Sequence, residues 1–99
     1  MKTIQGLSKR KGVIAYVRSD KTEDDFGPFR VGDFAHVVHQ NGGNAVLRID
    51  ILQKEGKFIG TVMRCFPKIG GIDVGDVVIE HHDFVFALTR GDMAGSEYK

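Results

Sequence analysis

The chain reads AVLRIDILQKEGKFIGTVMRCF from residue 45 to residue 66, and this stretch decides the fold class. Apolar side chains recur at every second position from Ala45 to Ile51, which is the period of a β-strand with one buried face. Glu55-Gly56 then supplies a tight turn, because glycine adopts a positive φ without steric cost. Residues 57–66 return as a second strand, so the sequence predicts an antiparallel β-hairpin.

The register of this hairpin follows from its turn. A two-residue turn pairs Ile51 with Gly60 and Ile49 with Val62, which brings the apolar side chains of both strands onto one core face. The opposite face also carries several apolar side chains, and a face this apolar is seldom left wholly to water. We therefore expect a second element or another copy of the chain to cover it. The candidate interface residues are Val46, Leu52, Ile59 and Met63.

Residues 34–41 have two interpretations. Asp33 is a good N-cap, and Phe34, Val37 and Val38 have the i, i+3, i+4 spacing of a helix. The β-branched side chains of Val37 and Val38 favour a strand instead. The cap and the spacing together favour the helix, which we predict near residues 34–41.

The rest of the chain adds short β segments. Residues 13–18 are a β-branched run, and residues 83–89 are apolar on both faces, as in an interior strand. With the hairpin, they predict a mainly β (α+β) fold, which is a small antiparallel barrel or half-barrel of five or six short strands with one short helix. We expect a flexible basic arm at residues 1–11, a single β-rich domain at 12–90 and a flexible tail at 91–99.

The composition is that of an ordinary globular protein. The 99 residues are 41% hydrophobic and 27% charged, and a formal net charge of +1 gives no general attraction to nucleic acid or to anionic membranes. No apolar run is long enough for a signal peptide or a membrane span. The single cysteine, Cys65, has no partner for an internal disulfide, which fits a reducing compartment. We therefore expect a cytoplasmic protein that does not enter membranes.

Four histidines are the first candidates for a small-molecule or metal site. His36 and His39 share one face if their segment is helical, whereas the adjacent His81 and His82 point to opposite faces of a strand. Glu80 and Asp83 are the nearest carboxylates. If these groups meet in the fold, they offer the nitrogen and oxygen donors that transition metals bind. The alternative is four polar histidines on the surface.

A basic run near the N-terminus is the candidate nucleic-acid site. Lys9, Arg10 and Lys11 precede a strand that carries Tyr16 and Arg18. Cations can follow a phosphate backbone while an aromatic ring stacks on a base, as in barrels that bind single strands. The alternative is a solvated N-terminus whose charge is screened by the acidic residues that follow it.

No pattern in the sequence indicates a catalytic centre. Cys65 lies in an apolar stretch, where a thiol is inert rather than nucleophilic, and the chain has no phosphate loop or dinucleotide motif. We therefore predict a non-enzymatic binding or interaction module that acts as a homo-oligomer, without a cofactor. The nucleic-acid-binding barrel and the histidine site are the two alternatives.

Overall fold

A single β-sheet organises the part of the chain that this computed structural model describes, which is residues 2–17, 29–66 and 71–91. The strands are, in chain order, Ala15–Val17 (β1), Phe34–Val38 (β2), Asn44–Leu52 (β3), Lys57–Phe66 (β4), Val77–His81 (β5) and Val85–Thr89 (β6). Two 3₁₀ turns, Lys54–Gly56 and His82–Phe84, connect β3 to β4 and β5 to β6. Apart from Gly91, the predicted tail lies outside the described residues.

The six strands lie in the order β1-β6-β2-β3-β4-β5. β2 to β5 form an antiparallel meander, β6 returns to pair antiparallel with β2, and β1 pairs in parallel with β6. The mainly β class is therefore confirmed. Among the described residues no pairing joins β1 to β5, so the sheet is not closed there, and those residues contain 3₁₀ turns but no α-helix.

The predicted helix near residues 34–41 is wrong, because residues 34–38 form the strand β2. Its backbone pairs with β3 on one side and with β6 on the other. Ala35 and Val37 face the core and are fully buried. Two flanking strands and the β-branched side chains of Val37 and Val38 outweigh the helical spacing and the N-cap signal at Asp33, since strand preference depends on the neighbours that a side chain meets.

β3 and β4 form the predicted hairpin in a different register. Ile51 pairs with Ile59, and Ile49 pairs with Gly60, because the connection is the 3₁₀ turn Lys54–Gly56 rather than a two-residue turn. The pairing shifts by one residue between Ile49 and Ile51. Ile51 therefore leaves the core face and is 52% exposed.

The core lies mainly on one face of the sheet. Its buried side chains come from β2 to β6, from Ile72 and from the N-terminal segment, which we define as residues 2–10. Ile4 and Leu7 of this segment belong to the core cluster, although the sequence placed them in a flexible arm. The motion of the segment stays a prediction, but these two side chains are part of the packed interior.

Backbone hydrogen bonds attach the N-terminal segment to strands in both halves of the sheet. Ile79 of β5 donates its amide to the carbonyl of Lys2 at 2.9 Å. At the other end, the amide of Ser8 donates to the carbonyl of Val38 at 2.8 Å. The segment therefore runs from β5 to the end of β2, two strands that are not neighbours in the sheet.

A buried ion pair joins the residue before β2 to the residue after β6. Arg90 Nη1 lies 2.6 Å from Asp33 Oδ2, and the two side chains are 3% and 4% exposed. The same carboxylate accepts the amides of Arg30 at 2.9 Å and Gly91 at 3.0 Å. Since β2 and β6 are adjacent, this carboxylate fastens their ends together.

Candidate functional site

An open pocket of about 440 Å³ lies between the N-terminal segment and β5. The apolar side chains around it are Ile4, Leu7, Ile79 and Phe84. The polar ones include Lys57, Glu80 and His81. Ligand pockets in proteins commonly have this size and this mixture of an apolar lining with a few polar groups.

The pocket exists because the N-terminal segment leaves β5 soon after it has paired with it. Lys2 forms a bridge with Val78 of β5, but the next contact with this strand comes from a side chain, since the Ile4 amide donates to Glu80 Oε1 at 2.7 Å. The segment then turns toward the end of β2, where the Gln40 amide donates to the carbonyl of Gly6 at 2.9 Å. The space left between the segment and the strand is the pocket.

Glu80 is the buried acidic group of this pocket, at 7% exposure. Burial raises the pKa of its carboxyl group above the ordinary value, and the hydrogen bond from the Ile4 amide opposes this rise. Among the described residues, Ile4 is the hydrogen-bond donor to this carboxyl. A carboxyl with a raised pKa can be protonated, and it then donates as well as accepts a hydrogen bond.

The structure brings two of the four predicted histidines together with a carboxylate. The strand β5 ends at His81, and His82 and Asp83 begin the next 3₁₀ turn, so the two rings do not point to opposite faces of a strand. The ring centroids of His81 and His82 are 4.3 Å apart. Ligand atoms of the three residues, which we call the His–His–Asp cluster, lie within 4.8 Å of one another.

His36 and His39 are not part of this cluster. His36 Nε2 lies 2.9 Å from the hydroxyl of Thr89, which is fully buried and therefore inaccessible to a substrate. His39 Nδ1 accepts the amide of Asn41 at 3.0 Å in the turn after β2. Both rings thus make contacts that stabilise the fold.

The pKa of His36 is lowered by burial and, to a lesser degree, by the positive charge of Arg64. The unfolded chain therefore binds a proton at His36 more tightly than the folded chain does. Neutral His36 contributes stability above the pKa of the unfolded chain, near 6.5, and this contribution is lost as the pH falls through the lower pKa of the folded chain. We expect the stability advantage of the natural chain over His36→Gln to shrink between neutral pH and pH about 5. Urea unfolding of both proteins across this pH range measures the difference between their free energies of unfolding.

The Arg64→Gln variant is the control for this prediction. It removes the smaller cause of the shift and leaves burial, so the same pH dependence should persist in weakened form. A difference between the natural chain and His36→Gln that stays constant with pH would contradict the prediction.

Of the five residues predicted to bind nucleic acid, the four that the structure describes lie at different places in the fold. The Arg10 side chain packs against the fold, because its Nη1 donates hydrogen bonds to the carbonyls of His82 and Val85, both at 2.8 Å. Lys9 Nζ lies 3.8 Å from Asp83 Oδ2, and Lys11 is exposed. Tyr16 belongs to β1, whereas Arg18 lies outside the described residues.

The four predicted interface residues differ in exposure. Val46 and Ile59 are buried within the single chain, at 6% and 8% exposure, whereas Leu52 is exposed and Met63 is half-buried. An apolar row nevertheless crosses the sheet on this side, because Ile51 pairs with Ile59 and Ile59 pairs with Ile79. Val77 is two residues from Ile79 on β5 and pairs with Thr61, so it lies on this face beside the row.

Several pocket residues could not be singled out from the sequence. Lys57 and Phe84 lie in no recognisable motif, and Glu80 was considered only as a neighbour of the histidines. A weak signal existed for Ile4 and Leu7, which are the only apolar residues between positions 2 and 12. Nothing local indicated that they would meet β5.

Comparison of the chain with protein-family models, with curated proteins and with solved structures finds no match. In the described part of the chain, no helix has both the length and the apolar character that crossing a membrane requires. We therefore infer the function from the geometry of the site.

Proposed function

We propose that this chain is a non-enzymatic binding module whose ligand occupies the pocket between the N-terminal segment and β5. The observation that carries the proposal is the nearly buried Glu80 carboxyl in the wall of a 440 Å³ pocket. Burying an ionisable group is costly, so such a group in a concave, largely apolar site marks a candidate binding site.

The chemistry of the lining indicates the class of ligand. Leu7 and Phe84 offer apolar contact, while Glu80, His81 and Lys57 offer an acceptor, an imidazole and an ammonium group. This combination fits a small amphipathic molecule with an apolar part and a polar end that donates a hydrogen bond to Glu80. Shape and these few polar groups set the specificity of such sites.

A fragment screen read by amide NMR tests the pocket. We expect amphipathic fragments to shift the amides of residues 3–7 and 79–84, and we expect Phe84→Ala to weaken the binding of any hit about tenfold, through lost apolar contact of about 1.4 kcal/mol. The matched control is Phe66→Ala, because Phe66 is exposed and is not part of the pocket. A screen without hits in the pocket, or hits that Phe84→Ala leaves unchanged, would contradict the proposal.

A second proposal is that the module acts as a homo-oligomer. It is supported by the apolar row Ile51–Ile59–Ile79 and by Val77 beside it, because Ile51 and Val77 are 52% and 46% exposed. Neighbouring charge does not oppose association, since Arg48 Nε lies 2.8 Å from Asp50 Oδ1 and the pair is internally neutral. A second copy presenting the same row would bury both.

For self-association, Ile51→Lys is the informative substitution. A lysine there would place a charge within the proposed contact, so we expect a shift from dimer or higher oligomer to monomer. Size-exclusion chromatography with light scattering, at low and high salt, measures it. The control Val13→Lys introduces the same charge at a position that is 93% exposed. A natural chain that is monomeric, or an oligomer that Ile51→Lys leaves intact, would contradict this interface.

The half-barrel and the remaining predictions also stay proposals. In favour of a curled sheet, the N-terminal segment bonds to β5 and to the residues after β2, and register shifts in β3 and β4 increase local twist. Nucleic-acid binding is not favoured, because Arg10 is bound to two backbone carbonyls. A cytoplasmic location stays a proposal, with the lone cysteine in its favour.

A further inference from the structure

The His–His–Asp cluster shares His81 with the pocket, but it carries an inference that needs no pocket ligand. His81 Nδ1 lies 3.6 Å from Asp83 Oδ2, and His82 Nε2 lies 3.3 Å from Asp83 Oδ1. Two donor atoms that each lie about 2.1 Å from one Zn²⁺ ion are about 3.4 Å apart when they subtend a tetrahedral angle. The two observed separations, each to a different oxygen of Asp83, are close to this value.

The ring of His82 is held by a contact outside the cluster. His82 Nδ1 lies 3.4 Å from the carbonyl oxygen of Gly56, so a proton on Nδ1 leaves the lone pair on Nε2, the atom that faces Asp83. Metal-binding histidines are commonly oriented by such a backbone carbonyl on the second ring nitrogen.

Gly56 itself makes room for both rings. A Cβ atom at this position would lie 2.2 Å from His82 Nδ1 and 2.9 Å from His81 Nε2. The residue also has a positive φ of 76°, which glycine adopts freely. The lack of a side chain at Gly56 therefore lets both imidazole rings pack closely against the turn between β3 and β4.

We propose that His81, His82 and Asp83 bind a divalent transition-metal ion at the junction of β5 and its 3₁₀ turn. Two imidazole nitrogens and a carboxylate are borderline donors, which favour Zn²⁺, Co²⁺, Ni²⁺ or Cu²⁺ over Mg²⁺ and Ca²⁺. All three side chains are partly exposed, so water or a ligand group completes the coordination. Three protein ligands with an open position are the arrangement of an exchangeable site rather than of a closed structural one.

Metal binding replaces two existing contacts. His81 Nδ1 accepts the amide of Asp83 at 3.1 Å, and a metal bond at this atom takes the place of that hydrogen bond. Lys9 Nζ lies 3.8 Å from Asp83 Oδ2, where its charge competes with the ion for the carboxylate. The amide of Asp83 should therefore respond strongly to metal, and Lys9 should weaken binding.

Titration of the metal-free full chain with Zn²⁺ tests the proposal. Calorimetry should show one ion per chain, and amide NMR should place the strongest changes at residues 81–83, whereas millimolar Mg²⁺ should leave these signals unchanged. His82→Ala and Asp83→Asn should each weaken binding at least tenfold, and Lys9→Gln should strengthen it by a few-fold. Two independent ligand variants and the NMR readout on the natural chain keep the test valid if one variant folds poorly.

Matched controls separate this cluster from other donors. His39→Ala removes a histidine outside the cluster, and Cys65→Ser removes the thiol of the single cysteine, so both should bind Zn²⁺ like the natural chain. Absence of Zn²⁺ binding, unchanged binding in His82→Ala and Asp83→Asn, or loss of binding in either control would overturn the proposal. Because the measurement uses no pocket ligand, its failure would leave the proposed pocket untouched.

Discussion

The Asp33→Asn variant is expected to lose about 3 kcal/mol or more of its free energy of unfolding, the cost typical of removing one partner of a buried ion pair. Asp33 and Arg90 are both almost fully buried, and their charged atoms are 2.6 Å apart. The substitution removes the carboxylate charge that faces the guanidinium in a medium where charge is poorly solvated. It also weakens the acceptor for the Arg30 and Gly91 amides.

Thermal and urea unfolding measure this effect. A loss of about 3 kcal/mol corresponds to a Tm lower by roughly 12 °C or more for a domain of this size. The matched control is Asp50→Asn, which makes the same change in the part-exposed pair with Arg48 and should cost under about 1 kcal/mol. Equal losses of unfolding free energy in the two variants would contradict the larger stabilisation expected from the buried Asp33–Arg90 pair.

The Leu7→Ala variant is expected to lose about 2–3 kcal/mol, the lower part of the range for truncating a buried leucine. Leu7 is 8% exposed and packs into the main cluster together with Ile4. The truncation removes apolar contacts and leaves a cavity between the N-terminal segment and the sheet. A flexible arm that does not touch the domain would give no change, so the variant decides between the two descriptions of residues 1–11.

Urea unfolding of Leu7→Ala is compared with that of Val13→Ala. Val13 lies in the same region of the chain but is 93% exposed, so its truncation should change stability by less than about 0.5 kcal/mol. A Leu7→Ala loss as small as that of Val13→Ala would place the segment outside the cooperative fold.

The packing of Ile4 and Leu7 also changes how the nucleic-acid alternative is tested. Deleting residues 1–11 would remove core side chains and the hydrogen bonds to β5 and β2, so lost binding would not distinguish a missing contact from a damaged fold. Substituting Lys11, which is exposed, leaves the core intact. A salt-dependent affinity that falls in Lys11→Gln would support the alternative.

The mainly β class was predictable because its evidence is local. Alternation from Ala45 to Ile51 and the glycine at position 56 are properties of neighbouring residues, and β3 and β4 form where they indicate. The register was not predictable, since the 3₁₀ turn and the shift between Ile49 and Ile51 move the partner of Ile51 by one residue and that of Ile49 by two. A change this small moved Ile51 from the predicted core to the surface.

The segment at residues 34–38 shows where local signals fail. Its spacing suits a helix, but β3 and β6 lie on either side of it and satisfy its backbone hydrogen bonds as a strand. β3 follows closely in the chain, but β6 begins only at Val85, so no local window around Val37 contains both partners. Pairing on both edges, together with burial of Ala35 and Val37 in the core, favours the strand.

The sequence by itself determined a small β-rich chain, the place of its central hairpin and the adjacency of His81, His82 and Asp83. Only the tertiary structure decided that Ile4 and Leu7 enter the core, that Glu80 is buried beside the Ile4 amide, and that the pocket forms between them. The physical reason is sequence separation. Residues adjacent in the chain are close together in any fold, whereas the contact of Ile4 with Glu80 across 76 positions depends on the packing of the entire sheet.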